Sequence, residues 1–181
     1  MPKIIDEARE RILTEARKTL LTAGYKGLSL RGLARDCSVA VGTIYNYFPN
    51  KDTRIALVMM QDWTETIERM ERGVAEAAGV SEGALVLYRE IDCFSEIYRD
   101  VWHQFSQTAG AAETVGGRHR MLRRQIEVQW EALLRRFGYE KEIRLAPLLA
   151  ETILAAARQE DIGPEAIRQM MQRMFPPENK N

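Results

Sequence analysis

The chain has 181 residues, 45% of them hydrophobic, and its 26 basic and 26 acidic side chains leave no net charge. That length supports a real hydrophobic core in one or two domains, and no uncharged apolar run approaches the roughly 18 residues of a membrane span. With only two cysteines (Cys37, Cys93) and two histidines (His103, His119), scattered along the chain, neither a disulfide framework nor a metal or cofactor centre is expected.

Apolar residues recur every three or four positions from Ile5 through Ala8, Ile12, Ala16 and Leu20 to Ala23, which predicts a first helix ended by Gly24. Ser29 stands where an N-cap acceptor is wanted, and Leu30, Leu33, Ala34 and Cys37 follow on one face of a second, short helix. The pattern breaks around Ser38. In the next segment Val39, Ile44 and Phe48 turn inward, while Ala40, Val41, Thr43, Tyr45, Asn46 and Tyr47 stay outward until Pro49 stops the helix. Two short helices joined by a tight turn form the helix-turn-helix layout, whose second helix enters the DNA major groove. Gly42, on the exposed start of that helix, would let the backbone come close to a phosphate or base. Tyr45, Tyr47 and Lys51 can reach phosphate oxygens.

Asn50 is the expected cap of a long helix over Lys51 to about Ala77, with Ile55, Met59, Trp63, Ile67, Met70 and Val74 as its stripe; it spans roughly 40 Å. After Gly79, Ser81 is a second expected cap, and the stripe Leu87, Ile91, Phe94, Tyr98, Val101, Trp102 and Phe105 predicts two consecutive helices ending before Gly110. Residues 110–117 are small and weakly patterned and read as a loop. From Arg118 a helix buries Leu122, Ile126, Trp130, Leu133 and Phe137 and closes at Gly138. In the next segment Pro147 either sits in the first turn or kinks the helix. Pro164 fits the first position of a final helix carrying Met170, Met171 and Met174, after which Pro176 and Pro177 begin a frayed tail. With no strand alternation, the expected fold is all-α, with about nine helices. No nucleophile–base pair, metal cluster or phosphate loop points to an enzyme.

Charge is unevenly spread: residues 1–55 hold ten Lys or Arg against six Asp or Glu, a net of +4, and the rest carry the balancing −4. A basic front on an acidic rear suits a DNA-binding head on a body with another task. The segments Ala23-Gly24-Tyr25, Ser29-Leu-Arg-Gly-Leu-Ala34 and Val39-Ala-Val-Gly-Thr-Ile-Tyr-Asn-Tyr-Phe-Pro-Asn-Lys51 closely resemble the N-terminal DNA-binding domain of the tetracycline-repressor (TetR) family, over roughly residues 4–60.

The resemblance implies a three-helix head (1–50) and a helical ligand-binding and dimerisation body (51–181) in a cytoplasmic, homodimeric regulator that binds a double-stranded operator with two half-sites. By resemblance, Ser29, Arg31, Ala40, Val41, Gly42, Thr43, Tyr45, Asn46, Tyr47 and Lys51 lie at or near DNA. It also implies a small-molecule pocket, for which Trp63, Tyr98, Trp102, His103 and Phe105 are the candidates. The dimer face is expected on the last two helices, with Leu149, Ile153, Ala156, Ala157, Met170, Met171 and Met174; the same residues could equally complete the chain's own core. The alternative function is a DNA-binding scaffold whose body docks a partner protein. Ser38 and Gly32 depart from the family pattern, which usually has Gly at the first position and a larger residue at the second.

Overall fold

The three- and four-residue spacing of apolar side chains produces α1 (Lys3–Gly27), whose Ile12, Leu13, Ala16 and Leu20 are buried along one face. The computed structural model describes residues 3–106 and 111–176. Among these residues the regular elements are helical: α1, α2 (Leu30–Asp36), α3 (Val41–Tyr47), α4 (Lys51–Glu76), α5 (Val80–Ser106), α6 (Ala111–Arg136), α7 (Ala146–Ala156) and α8 (Pro164–Met174), with a 3₁₀ segment at Glu140–Leu145. Gly24, at φ 66 and ψ −174, breaks α1 near its end, as a residue without Cβ can do at little cost.

The chain packs as two compact units, one of Met1–Trp63 with Ile97–Ala111 and one of Thr64–Glu96 with Ala112–Asn181. Helices α4 and α5 therefore each contribute to both units. The first unit is built on Ile12, Leu20, Leu33, Ile44, Phe48, Ile55 and Trp63, all buried. It also buries the Asp62 carboxylate. Arg17 Nε on α1 donates to both Asp62 oxygens at 2.7 Å, and the Tyr98 hydroxyl on α5 donates to Oδ2 at 2.5 Å. A carboxylate taken out of water is tolerated only with such partners. Burial first, and the bond to Asp62 second, push the Tyr98 phenol far above its ordinary pKa.

The second unit centres on Met70, Leu87, Ile91, Ile126, Trp130, Leu133, Leu149, Ile153 and Met171. Helices α5 and α6 meet where Gly83 faces Leu133; a Cβ on Gly83 would lie 2.4 Å from Leu133 Cδ1. Arg136 donates to the carbonyls of Val74 and Ala77 at 2.7 Å each, satisfying acceptors at the end of α4 that have no partner within the helix. The Tyr88 hydroxyl donates to the Ile162 carbonyl at 2.8 Å and ties down the approach to α8.

Three expectations are corrected. The stripe from Leu87 onward belongs to one helix that runs unbroken from Val80 to Ser106, because nothing within it breaks the backbone pattern. Residues from Ala111 onward, expected as a loop, are the start of α6; Ala111, Ala112 and Glu113 favour a helix, against the cost of Gly116 and Gly117, even though their side chains make no stripe. Ser81 lies inside α5, and the end of that helix is closed instead by Glu82 Oε2, which accepts from Ala78 N at 2.7 Å. Pro147 sits in the first turn of α7 and Pro164 opens α8, where a missing N–H removes no helical bond. The tail beyond Pro176 lies outside the described residues.

The raised Tyr98 pKa fixes a pH dependence. Unfolded tyrosine ionises near pH ~10 while folded Tyr98 stays protonated, so its contribution is intact below that pH and falls by up to about 1.4 kcal/mol per pH unit above it. Tyr98→Phe should cost about 1 kcal/mol at neutral pH. Its deficit relative to the wild type should shrink above pH ~10 in urea titrations. A deficit independent of pH would contradict the assignment.

Candidate nucleic-acid interface

The local structure of α2 and α3 follows from a few side chains. Ser29, extended at φ −116 and ψ 149, accepts from Gly32 N through Oγ at 3.1 Å and caps α2. A Cβ on Gly32 would come 2.9 Å from that Oγ, so the departure at Gly32 leaves the cap its room. Arg11 Nη2 on α1 donates to the Cys37 carbonyl at 2.9 Å and secures the other end of α2. The Cys37 thiol is itself pushed up in pKa, chiefly by burial, and behaves as a core side chain. The turn is made at Ser38, whose φ of 53 is left-handed; glycine adopts that conformation more easily, which is why the pattern prefers it there.

Helix α3 has seven residues, too few to be stable alone. Ile44 and Phe48, both fully buried, fasten it to the unit. Their burial turns the rest outward: Ala40, Val41, Gly42, Tyr45 and Asn46 are exposed and Thr43 and Tyr47 half-buried. Val41 and Tyr45 expose 37% and 52% of their surface, which leaves both available for contact with another surface. No side chain caps the start of α3; the Thr43 N–H is instead satisfied by the Ala40 carbonyl at 2.9 Å.

The other predicted contacts flank this helix in sequence. Ser29 and Arg31 are exposed at the start of α2. Lys51, half-buried, opens α4, which Asn50 caps through an Oδ1 that accepts from Thr53 N at 2.7 Å. Lys51 is pushed below the ordinary lysine pKa by burial and by the Arg54 guanidinium.

Two residues of this surface were not singled out from the sequence. Arg54 is 2% exposed and donates from Nη1 to the Phe48 carbonyl at 3.3 Å, placing a cation at the carboxyl end of α3. Its signal was a basic residue next to Ile55 on the apolar stripe. Tyr25 donates its hydroxyl to Asp52 Oδ1 at 2.8 Å, and its ring lies 4.3 Å from Lys51 Nζ. No sequence signal joined Tyr25 to α4.

The remaining candidates separate. Trp63 and Tyr98 are buried in the first unit, with the Tyr98 hydroxyl engaged by Asp62, while His103 is exposed in the last turn of α5. The side chains of Trp102 and Phe105 lie outside the described residues. Leu149, Ile153, Ala156, Ala157 and Met171 are buried within the chain itself, Met170 is half-buried, and Met174 is 41% exposed. The large apolar side chains exposed on α7 and α8 are thus Leu148, at 63%, and Met174.

A family model described as "Bacterial regulatory proteins, tetR family" matches residues 12–53, the segment that holds α2, α3 and the start of α4. The HTH-type transcriptional repressor KstR of Mycobacterium tuberculosis is 29% identical over 72 residues, covering 40% of this chain and 33% of that protein. The chain matches only about a third of that relative's length. A tetR-family transcriptional regulator from Pectobacterium atrosepticum has a similar fold, with 18% identity, a TM-score of 0.61, and coverage of 97% of this chain and 95% of the other. The transcriptional regulator FadR from Bacillus subtilis, in complex with stearoyl-CoA, is 18% identical with a TM-score of 0.58, over 90% and 96% of the two chains.

Gly42 separates folding from recognition. A Cβ there meets nothing within 4 Å, so Gly42→Ala should leave thermal stability unchanged or raise it by up to about 1 kcal/mol. If α3 meets DNA through its backbone at Gly42, affinity measured by fluorescence anisotropy should nonetheless fall roughly tenfold. A variant that binds DNA as tightly as the wild type would remove α3 from the interface.

Proposed function

We propose that the chain, whose residues 12–53 match the model of the tetR family of bacterial regulatory proteins, is a homodimeric, DNA-binding transcriptional repressor released from its operator by a small molecule. The observation that carries this reading is α3: a seven-residue helix with two fully buried anchors and an otherwise outward face, inside the matched segment.

In this reading α3 enters the major groove. Thr43 and Asn46 offer hydrogen bonds to base edges, the Ala40 and Val41 methyls suit a thymine methyl, and Gly42 admits the backbone. Ser29, Arg31, Tyr45, Tyr47 and Lys51 hold phosphates and set the register. Two copies present two such helices to half-sites about 34–36 Å apart, so a shift of a few ångströms between the heads weakens binding.

The head (1–50) reads DNA and the body (51–181) pairs the copies and receives the effector. The FadR neighbour holds stearoyl-CoA, which supports a body able to take a small molecule. Pairing is assigned to the outward faces of α7 and α8, with Leu148 and Met174 as apolar anchors, since the small-residue face of α7 is used by the chain's own core. Because α4 and α5 each belong to both units, an effector that moves either helix acts on the head through continuous backbone. Its action is a coupling free energy, so the effector must bind the DNA-free arrangement more tightly.

Lys51→Ala tests the grip on the assembled protein. Sedimentation at micromolar concentration should give a dimer for both wild type and variant. The variant should bind operator and random DNA more weakly and show a salt slope reduced by about one unit for each Lys51 lost from a phosphate. An unchanged slope would remove Lys51 from the phosphate contacts, and a monomer would overturn the two-half-site arrangement.

A further inference from the structure

Tyr25 reaches both of the first two residues of α4. It follows Gly24, whose left-handed backbone breaks α1 and redirects the residues after it. Its hydroxyl donates to Asp52 Oδ1 at 2.8 Å, and Lys51 Nζ lies 4.3 Å from the centre of its ring. An ammonium at that distance is attracted by the negative face of the ring. The partnership matters because Lys51 has a competing neighbour. The Asp52 carboxylate is adjacent in sequence and is the acidic group in the first turn of α4. By occupying one Asp52 oxygen, the Tyr25 hydroxyl reduces the pull of that carboxylate on the ammonium, while the ring offers it a neutral seat.

We propose that Tyr25 is a positioning residue for DNA binding, holding the Lys51 ammonium on its ring and the first turn of α4 through Asp52, so that an arriving phosphate meets a cation already in place. A free lysine side chain loses the freedom of four rotatable bonds when it grips a phosphate; one already seated on a ring has given up part of that freedom in the unbound protein. The ring does not neutralise the charge as a carboxylate would, so the cation stays available. Burial first, and the nearby Arg54 guanidinium second, lower the Lys51 pKa from its ordinary value, while Asp52 acts in the opposite direction. Gly24 belongs to the same device, because its φ of 66 sets the direction in which Tyr25 leaves α1. The inference rests on the reading of Lys51 as a phosphate anchor.

The test is a double-mutant cycle on the full chain, using a fluorescein-labelled duplex of random sequence over a range of KCl concentrations, because phosphate contacts do not depend on sequence. Tyr25→Leu should weaken binding about threefold in the wild-type background, the size expected of a lost cation–π contact, and should have no further effect beside Lys51→Ala. Tyr25→Phe keeps the ring, so it should recover most of that loss. It also provides the comparison if Tyr25→Leu fails to fold: a smaller weakening that again vanishes beside Lys51→Ala. Equal weakening in both backgrounds would make Tyr25 a packing residue and overturn the proposal, as would wild-type binding by Tyr25→Leu. If Lys51→Ala itself leaves affinity and salt slope unchanged, the phosphate reading fails and this inference falls with it; that result is distinct from a failed cycle around a working Lys51.

Discussion

Ile44 and Phe48 are the two side chains on which the recognition surface stands. A helix of seven residues has no cooperative stability of its own, so α3 exists because these two are fully buried against the first unit. Burying them also determines everything the helix displays, since one anchored face leaves Val41, Gly42, Tyr45 and Asn46 outside. Arg54 reinforces the arrangement from α4 by holding the Phe48 carbonyl at the carboxyl end of α3. The position of α3 is in this way tied to the first turns of α4.

Polar contacts carry the same connection further along the first unit. Asp62 joins α1 through Arg17 and α5 through Tyr98, so three helices share one buried carboxylate. Such a group costs stability when any partner leaves, which favours a single register of the three helices. Helices α4 and α5 also supply part of the second unit.

Much of the first unit was legible in the sequence because its signals are local. Ser29 and Asn50 cap the helices they were expected to cap, and Ile44 and Phe48 point inward as their spacing required. Ser38, where the family pattern usually has glycine, takes the left-handed backbone that glycine adopts more easily. In the second unit, local pattern was less informative. The run from Ala111 has no apolar stripe to announce α6, and an unbroken 27-residue α5 looks in sequence like two shorter helices in succession. The face of α7 shows a different limit: Leu149 and Ile153 have the spacing of a buried stripe, and spacing alone does not say whether the covering surface belongs to the same chain or a second copy. Burial within the chain decides it for these residues. The bond from Tyr25 to Asp52 was not legible because the two residues, 27 apart, meet only after the chain folds back.

The central claim is that this chain grips DNA by placing α3 in the major groove of two half-sites. Dimethyl sulfate interference on duplexes selected by the protein from a random pool tests it most directly, because methylation of guanine N7 obstructs the major groove and methylation of adenine N3 the minor groove. The account predicts interference at guanine N7 in two symmetric clusters about one helical turn apart. Interference confined to adenine N3, or a single cluster with no symmetric partner, would contradict it.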